Sequence, residues 1–202
     1  MAAYPYKILF IRHGETDHNA EGRLQGQRDV PLNPRGREQA SAVGRSLLRL
    51  RPAEIGRLDA AGAFVASPLM RARNTMERAR VAMEMKPDQF RLDARLKEIG
   101  FGEWEGLTWP EVRARDPERL KARFADKWNF APPGGESYAM LAARLRDWLD
   151  EQTSDMFIAA HGGIARALAV LIAGADPQKA VDIDIWQGRA IAFEDGAYKW
   201  VG

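Results

Sequence analysis

The chain has 202 residues, 46% of them hydrophobic and 29% charged, and it contains no cysteine. A disulfide framework and a thiolate nucleophile are therefore excluded, and a metal site would have to draw on histidine and carboxylates. Thirty Lys plus Arg against 28 Asp plus Glu give a net charge of +2 and an isoelectric point near 9.0, too mild to imply nucleic acid without a localised basic stripe, and no such stripe is visible. This length predicts one domain over 1–202, large enough to bury most of its apolar surface without staples. Met1-Ala2-Ala3-Tyr4-Pro5 has no basic segment followed by a long apolar core. No later stretch approaches the ~18 apolar residues that span a bilayer, so a cytoplasmic protein without a membrane partner is expected.

The first element is Lys7-Ile8-Leu9-Phe10-Ile11, an apolar run that leads straight into Arg12-His13-Gly14-Glu15-Thr16. A continuous run, rather than an alternating one, predicts a strand buried on both faces of a parallel sheet. Arg12 and His13 then stand at its carboxyl end, and Gly14 is expected to let the chain turn sharply there. Asp17 to Val30 is polar and glycine-containing and reads as a loop folded over that end. Asn33 as N-cap and Pro34 at the first helical position predict a helix to about Leu50.

Gly62 to Ala66 is a second short apolar run, followed by Ser67-Pro68 and a helical composition from Leu69 to Met76. Arg71 falls in the first turn of that helix, near the positive end of its dipole, and is a second candidate anion ligand. Arg91 to Leu96 alternates loosely and could form a short strand, with a glycine-rich tight loop from Lys97 to Gly106. Trp109 to Trp128 is charged and helical in composition, and Ala131-Pro132-Pro133-Gly134-Gly135 then breaks the chain, so about 107–135 reads as a cap-like excursion. A helix from Glu136-Ser137 would carry an apolar stripe of Tyr138, Leu141, Leu145 and Trp148 or Leu149. Met156 to Ala160 is a further buried-strand run, leading into His161-Gly162-Gly163 and an apolar helix from Ile164 to about Ala173. The tail alternates through Val181, Ile183 and Ile185, then Ile191 and Phe193, then Tyr198 and Trp200, which predicts strands with hairpin turns.

Alternating strands and helices imply a three-layer α/β/α sandwich with a mostly parallel central sheet. Its strand ends bring Arg12-His13, Arg71 and His161 to one edge, where sites in open α/β sheets lie. Two arginines and two histidines suit a small, highly charged anion, and phosphate fits best because guanidinium offers paired donors to its oxygens. Singly, each has an ordinary reading: a surface pair, a solvated helix residue, a hydrogen-bonded structural histidine. A metal held by His13, His161 and a carboxylate is a further alternative, opposed by Arg12 and Arg71, which would repel a dication. The order of the motifs along the chain favours the anion.

Leu9 through Thr16 resembles the signature of the histidine phosphatase superfamily, in the branch related to cofactor-dependent phosphoglycerate mutase. Asn19 and Leu24-Gln25-Gly26 resemble the loop after that signature, Ser67-Pro68-Leu69-Met70-Arg71-Ala72 the second-arginine motif, Glu98 with Phe101 through Gly106 the acid loop, and Ala160-His161-Gly162-Gly163 the second-histidine motif. The resemblance implies a phosphoglycerate mutase-like fold and a phosphohistidine intermediate on His13, which divides a slow hydrolysis into two displacements. It implies that Arg12, Arg71, His161 and the Gly162 N–H neutralise the transferring phosphoryl group, and that Glu98 protonates the leaving alkoxide. Asn19, Thr16, Gln25 and Gly26 are weaker candidates for phosphate or substrate contacts. No metal or cofactor is implied.

Within the family, mutases resemble one another in a lysine soon after the acid-loop glycine and in an Arg-Arg-Ser-Tyr-type stretch. Here Leu107-Thr108 leads to Trp109, and Pro132-Pro133-Gly134-Gly135-Glu136-Ser137 looks like the small phosphatases. The expectation is a phosphomonoesterase acting on a small-molecule phosphate monoester, with a mutase or an inactive phosphate-binding module as alternatives. Trp104, Trp109, Trp128 and Phe130 would line the entrance or form a small core under the excursion. The alternating tail could offer an edge strand for a homodimer.

Overall fold

The computed structural model describes residues 4–201, so Met1 to Ala3, part of the stretch read for a leader, lie outside the described residues. Strand β1 (Ile8–Arg12) holds Ile8, Leu9, Phe10 and Ile11 fully buried, as the unbroken apolar run predicts. The following segment, expected to be loop, opens with a short helix, α1 (Asp17–Ala20). Thr16 and Asn19 form its capping box, each side chain accepting the other's backbone N–H. Helix α2 (Pro34–Leu50) starts and stops where expected, with Asn33 Oδ1 accepting the Gly36 N–H at 2.8 Å. Its first turn presses on the chain after β1: a Cβ on Gly14 would lie 2.2 Å from the Gly36 carbonyl oxygen. Gly14 is not among the residues with positive φ, so it serves this close approach rather than a sharp turn.

Helix α3 (Pro52–Ala60) has no counterpart in the sequence reading; Pro52 starts it, and Ile55 and Leu58 bury its inner side. Strand β2 (Phe64–Ala66) leads to α4 (Met70–Ala82), whose Met70 N–H is capped by Asp29 Oδ1 at 2.6 Å. Strand β3 is only Arg91–Leu92, because Asp93 Oδ1 accepts the Arg95 N–H at 2.9 Å and turns the chain into a 3₁₀ turn at Ala94–Leu96. The stretch 109–128 divides into α5 (Trp109–Arg115) and α6 (Pro117–Ala125), since Asp116 precedes a proline and is pushed out of the helical region, to φ −143° and ψ 58°.

Helix α7 (Tyr138–Asp150) buries the expected stripe, and β4 (Met156–Ala160) runs directly into α8 (Gly162–Ala173), which begins at Gly162 rather than Ile164. After α9 (Pro177–Ala180) the expected strand through Val181 to Ile185 is absent. Two carbonyls of that segment, Ile183 and Ile185, accept from Arg166 Nε at 3.0 Å and Arg12 Nη1 at 2.7 Å, so they serve arginine side chains rather than a ladder. The hairpin of β5 (Ala190–Glu194) and β6 (Ala197–Val201) forms as expected.

The six strands make one sheet in the order β3-β2-β4-β1-β5-β6. β3, β2, β4 and β1 are parallel, while β5 runs antiparallel to both β1 and β6. Side chains of β1 alternate between two cores, as strand geometry requires. Ile8 and Phe10 join Leu141, Leu145, Ile164 and Leu168 under α7 and α8, whereas Leu9 and Ile11 join Val43, Leu47 and Met76 under α2 and α4. The resulting three layers are those the sequence predicts. Register then sets up the site: Arg12 pairs with Ala160, so His13 and His161 leave the sheet side by side, and the His13 N–H donates to Ala160 O at 2.9 Å.

Candidate active site

The His13 and His161 rings lie 5.1 Å apart between centroids, and both side chains are out of contact with bulk solvent. His13 Nδ1 is 2.7 Å from Gly14 O. A carbonyl only accepts, so in the neutral ring Nδ1 carries the proton and Nε2 keeps its lone pair. Arg71 Nε donates to that Nε2 at 3.3 Å. The guanidinium is itself fixed by Arg28 O and Gly26 O, each at 2.7 Å. Thr75 ties the two motifs together, accepting from the Gly14 N–H at 3.0 Å and donating to Arg71 O at 2.7 Å. Arg12, anchored through Nη1 on Ile185 O, leaves Nε buried without a protein partner, and His161 leaves Nδ1 so. Buried polar groups are almost always paired, so two unmet groups at adjacent strand ends mark a place for an acceptor-rich ligand.

Electrostatics favour the same ligand. Burial, then Arg71 and Arg12, push His13 well below the ordinary imidazole value, and burial, Arg71, His13 and Arg12 do so for His161. Both rings are thus neutral near pH 7, and the positive charge of the site resides on the arginines. Burial also lowers Arg12 and Arg71 from the usual guanidinium value, with Glu98 the largest opposing influence.

Glu98 stands across a cavity of about 150 Å³ that both arginines and His13 line. Its Oε1 accepts from the Gly163 and Ile99 N–H groups, each at 3.0 Å, which seats the carboxylate on the first turn of α8. A Cβ on Gly163 would fall 2.3 Å from that Oε1, so a side chain there would displace Glu98. The backbone under Glu98 is held by Arg144, which donates to the carbonyls of Arg95, Lys97 and Glu98 and to both oxygens of Glu136. Glu136 in turn accepts the Gly100 N–H at 2.9 Å.

Of the other residues singled out in the sequence, Asn19, Gln25 and Gly26 line the cavity. Thr16, Gly162 and His161 do not: the Thr16 hydroxyl is turned to Gln25 Oε1 at 2.9 Å, Gly162 opens α8 beside Arg12, and His161 is fully buried beside the cavity-lining His13. Leu24 and Phe101, named in the sequence only as parts of motifs, also line it, as do Arg166 and Arg23, which sequence reasoning missed as site residues. Arg166 did leave a signal, as the one charged residue in the otherwise apolar α8. The aromatics in and after the acid loop pack inward rather than line the entrance: Trp104 stacks on Phe130 at 5.6 Å with Trp109 alongside in a small core, whereas Trp128 stacks on Tyr138 against the core under α7 and α8. A larger groove of about 580 Å³ between α2 and α4 contains none of these candidates. Among the described residues, no group of three or more His, Cys, Asp or Glu side chains converges to hold a metal ion, and no helix is long and apolar enough to cross a membrane.

A mixed, mostly parallel sheet with an arginine–histidine pair at one strand end and a second histidine at the next defines a phosphoglycerate mutase-like α/β fold. The chain belongs to the histidine phosphatase superfamily (branch 1), whose pattern matches residues 8–200. It is 36% identical over 182 residues to a glucosyl-3-phosphoglycerate phosphatase of Mycolicibacterium vanbaalenii, covering 83% of this chain and 74% of that protein. A metal-independent phosphoserine phosphatase of Arabidopsis thaliana is 33% identical over 172 residues, covering 82% and 68% respectively. Among solved structures, a mycobacterial glucosyl-3-phosphoglycerate phosphatase complexed with VO3 superposes with a TM-score of 0.76 at 27% identity, over 96% of this chain and 97% of that one.

Proposed function

We propose that this histidine phosphatase hydrolyses small phosphate monoesters through a phosphohistidine on His13. The observation that carries the reading is the His13 ring: Nδ1–H is committed to Gly14 O, while an unprotonated Nε2 points toward the Arg71 guanidinium. In the first step the Nε2 lone pair forms the bond to phosphorus, the ester P–O bond breaks, and the leaving alkoxide takes a proton from Glu98. In the second step Glu98 accepts a proton from water as the water oxygen bonds phosphorus, and the P–N electron pair returns to Nε2. Arg12, Arg71 and His161 meet the charge of the transferring group, a role supported by the buried, unpartnered Arg12 Nε and His161 Nδ1.

In this reading the chain acts as one domain, and the excursion at about 107–135 caps the cavity. Leu24, which lines the cavity, exchanges backbone hydrogen bonds with Leu107 and Gly106 at 2.9 and 2.7 Å, in keeping with that role. Hydrolysis is favoured over isomerisation because Trp109 belongs to the small apolar core and supplies no cation for a bound intermediate. Brief reaction with substrate, denaturation and peptide mass analysis should find an acid-labile phosphate on His13, with the rate unchanged by EDTA. Phosphate on another residue defeats the mechanism, and exchange of 3- and 2-phosphoglycerate faster than release of inorganic phosphate defeats the hydrolase reading.

A further inference from the structure

His161 is surrounded by Arg71, His13 and Arg12, yet its only side-chain hydrogen bond among the described residues is Nε2 to Ser67 Oγ at 2.8 Å. The direction of that bond can be worked out. Ser67 is fully buried, and its Oγ already accepts the Leu69 N–H at 3.3 Å. A buried hydroxyl proton needs an acceptor. The acceptor within reach is His161 Nε2, so Ser67 donates and Nε2 must be the unprotonated nitrogen of a neutral ring. The ring proton is then on Nδ1, the atom left buried and unpartnered.

We infer that Ser67 is a positioning residue, fixing His161 in the Nδ1–H tautomer so that the ring offers a donor, and not a lone pair, to the transferring phosphoryl group. The inference rests on the phosphohistidine reading for its catalytic meaning. The sign of the interaction depends on it, since a lone pair at Nδ1 would repel a phosphoryl oxygen where an N–H attracts it. His13 and His161 thus share a tautomer and use it oppositely. His13 spends Nδ1–H on Gly14 O and presents a nucleophilic Nε2, whereas His161 spends Nε2 on Ser67 and presents Nδ1–H.

Nitrogen-15 long-range correlation spectra of histidine-labelled unaltered enzyme at neutral pH test this, with a His161→Asn sample serving only to identify the resonances. The expected result is a neutral His161 carrying its proton on Nδ1. Ser67→Ala should move the population toward the Nε2–H tautomer and lower kcat for an alkyl phosphate about three- to tenfold, the worth of one net hydrogen bond, with KM moving less. An Nε2–H or doubly protonated His161 in the unaltered enzyme overturns the inference, as does a Ser67→Ala enzyme that keeps the Nδ1–H signature, whatever its rate. Failure to find phosphate on His13 would instead defeat the phosphohistidine reading, because the nitrogen spectra do not depend on turnover.

Discussion

Arg12, His13 and His161 are placed by the backbone of two paired strands, whereas Glu98, across the cavity, stands on a loop that side chains hold. The first group follows from the register Arg12 to Ala160, fixed by ladder hydrogen bonds within fully buried strands. Their backbone positions are set by the ladder, and side-chain contacts such as Ser67 to His161 only orient the rings and guanidinium. The Glu98 segment is held mainly by the Arg144 guanidinium, bonded to the carbonyls of Arg95, Lys97 and Glu98 and to the carboxylate of Glu136, with Gln27 adding weaker bonds to Glu98 O and Glu136. In the proposed mechanism the groups that bind phosphorus are thus set by the fold, and the group that moves the proton is set by a replaceable network.

The comparison is broken most completely at the sheet edge. His13→Ala removes the proposed nucleophile and should reduce kcat by about 10⁴-fold or more, on good and poor leaving groups alike. Steady-state assays with p-nitrophenyl phosphate and with a sugar phosphate check this, and substantial activity toward either ester would refute the role of His13.

At the loop, the expected losses depend on the leaving group. Glu98→Gln keeps an acceptor for the Gly163 and Ile99 N–H groups but has no proton to give. Phosphoenzyme formation from an alkyl phosphate should fall by roughly 10²- to 10⁴-fold, the usual worth of general acid catalysis. With p-nitrophenyl phosphate, whose leaving group needs no proton, the same step should change little and give a burst followed by slow turnover. Equal losses for both esters in stopped-flow measurements would mean that Glu98 only positions phosphate.

Arg144→Met sharpens the contrast. It leaves every strand-end residue in place but unties the loop, so the alkyl phosphate should lose about tenfold in the first step and p-nitrophenyl phosphate much less. The ratio of the two burst rates is the readout. A uniform loss would show that Arg144 supports the whole site rather than the position of Glu98.

Legibility in the sequence follows the same division. The strand-end residues could be read because each directly follows an apolar run, and a buried strand has only one place to put what comes next. Arg144 and Glu136 could not, since Arg144 lies within the α7 pattern as an ordinary surface cation and its partners are loop carbonyls distant in sequence. Ser67 was visible within a motif, but its partner is 94 residues away. Errors in the fold have a related cause: alternation through Val181, Ile183 and Ile185 mimics a strand, while the carbonyls that would make a ladder are taken by Arg12 and Arg166. Thr16 and Asn19, weaker candidates for phosphate or substrate contacts, also form the capping box of α1, a local role the sequence reading did not assign, and Asn19 lines the cavity.

The smallest effect expected is on stability, and it again separates the buried histidines from the surface. The unfolded chain binds a proton on each imidazole near pH 6.5, whereas burial and the arginines hold the folded His13 and His161 well below that value. Below about 6.5 the unfolded state therefore carries more protons than the folded state. Stability is fully present above that pH and declines as pH falls toward the folded values, by up to about 1.4 kcal/mol per pH unit per histidine. Carboxylates with lowered values act in a more acidic window. Glu194, brought to about 2 by Lys199 and Lys7, and Glu136, raised by burial but lowered further by Arg144, give up stability only below about pH 4.5. Between about pH 6.5 and 5 the slope belongs to the buried imidazoles, and His13→Asn should remove about half of it. Denaturant unfolding at pH 7.5, 6.0 and 5.0 measures both proteins. A flat profile for the unaltered chain would mean that His13 and His161 take up protons in the folded state as readily as in the unfolded one, and a protonated Nε2 has no lone pair with which to attack phosphorus.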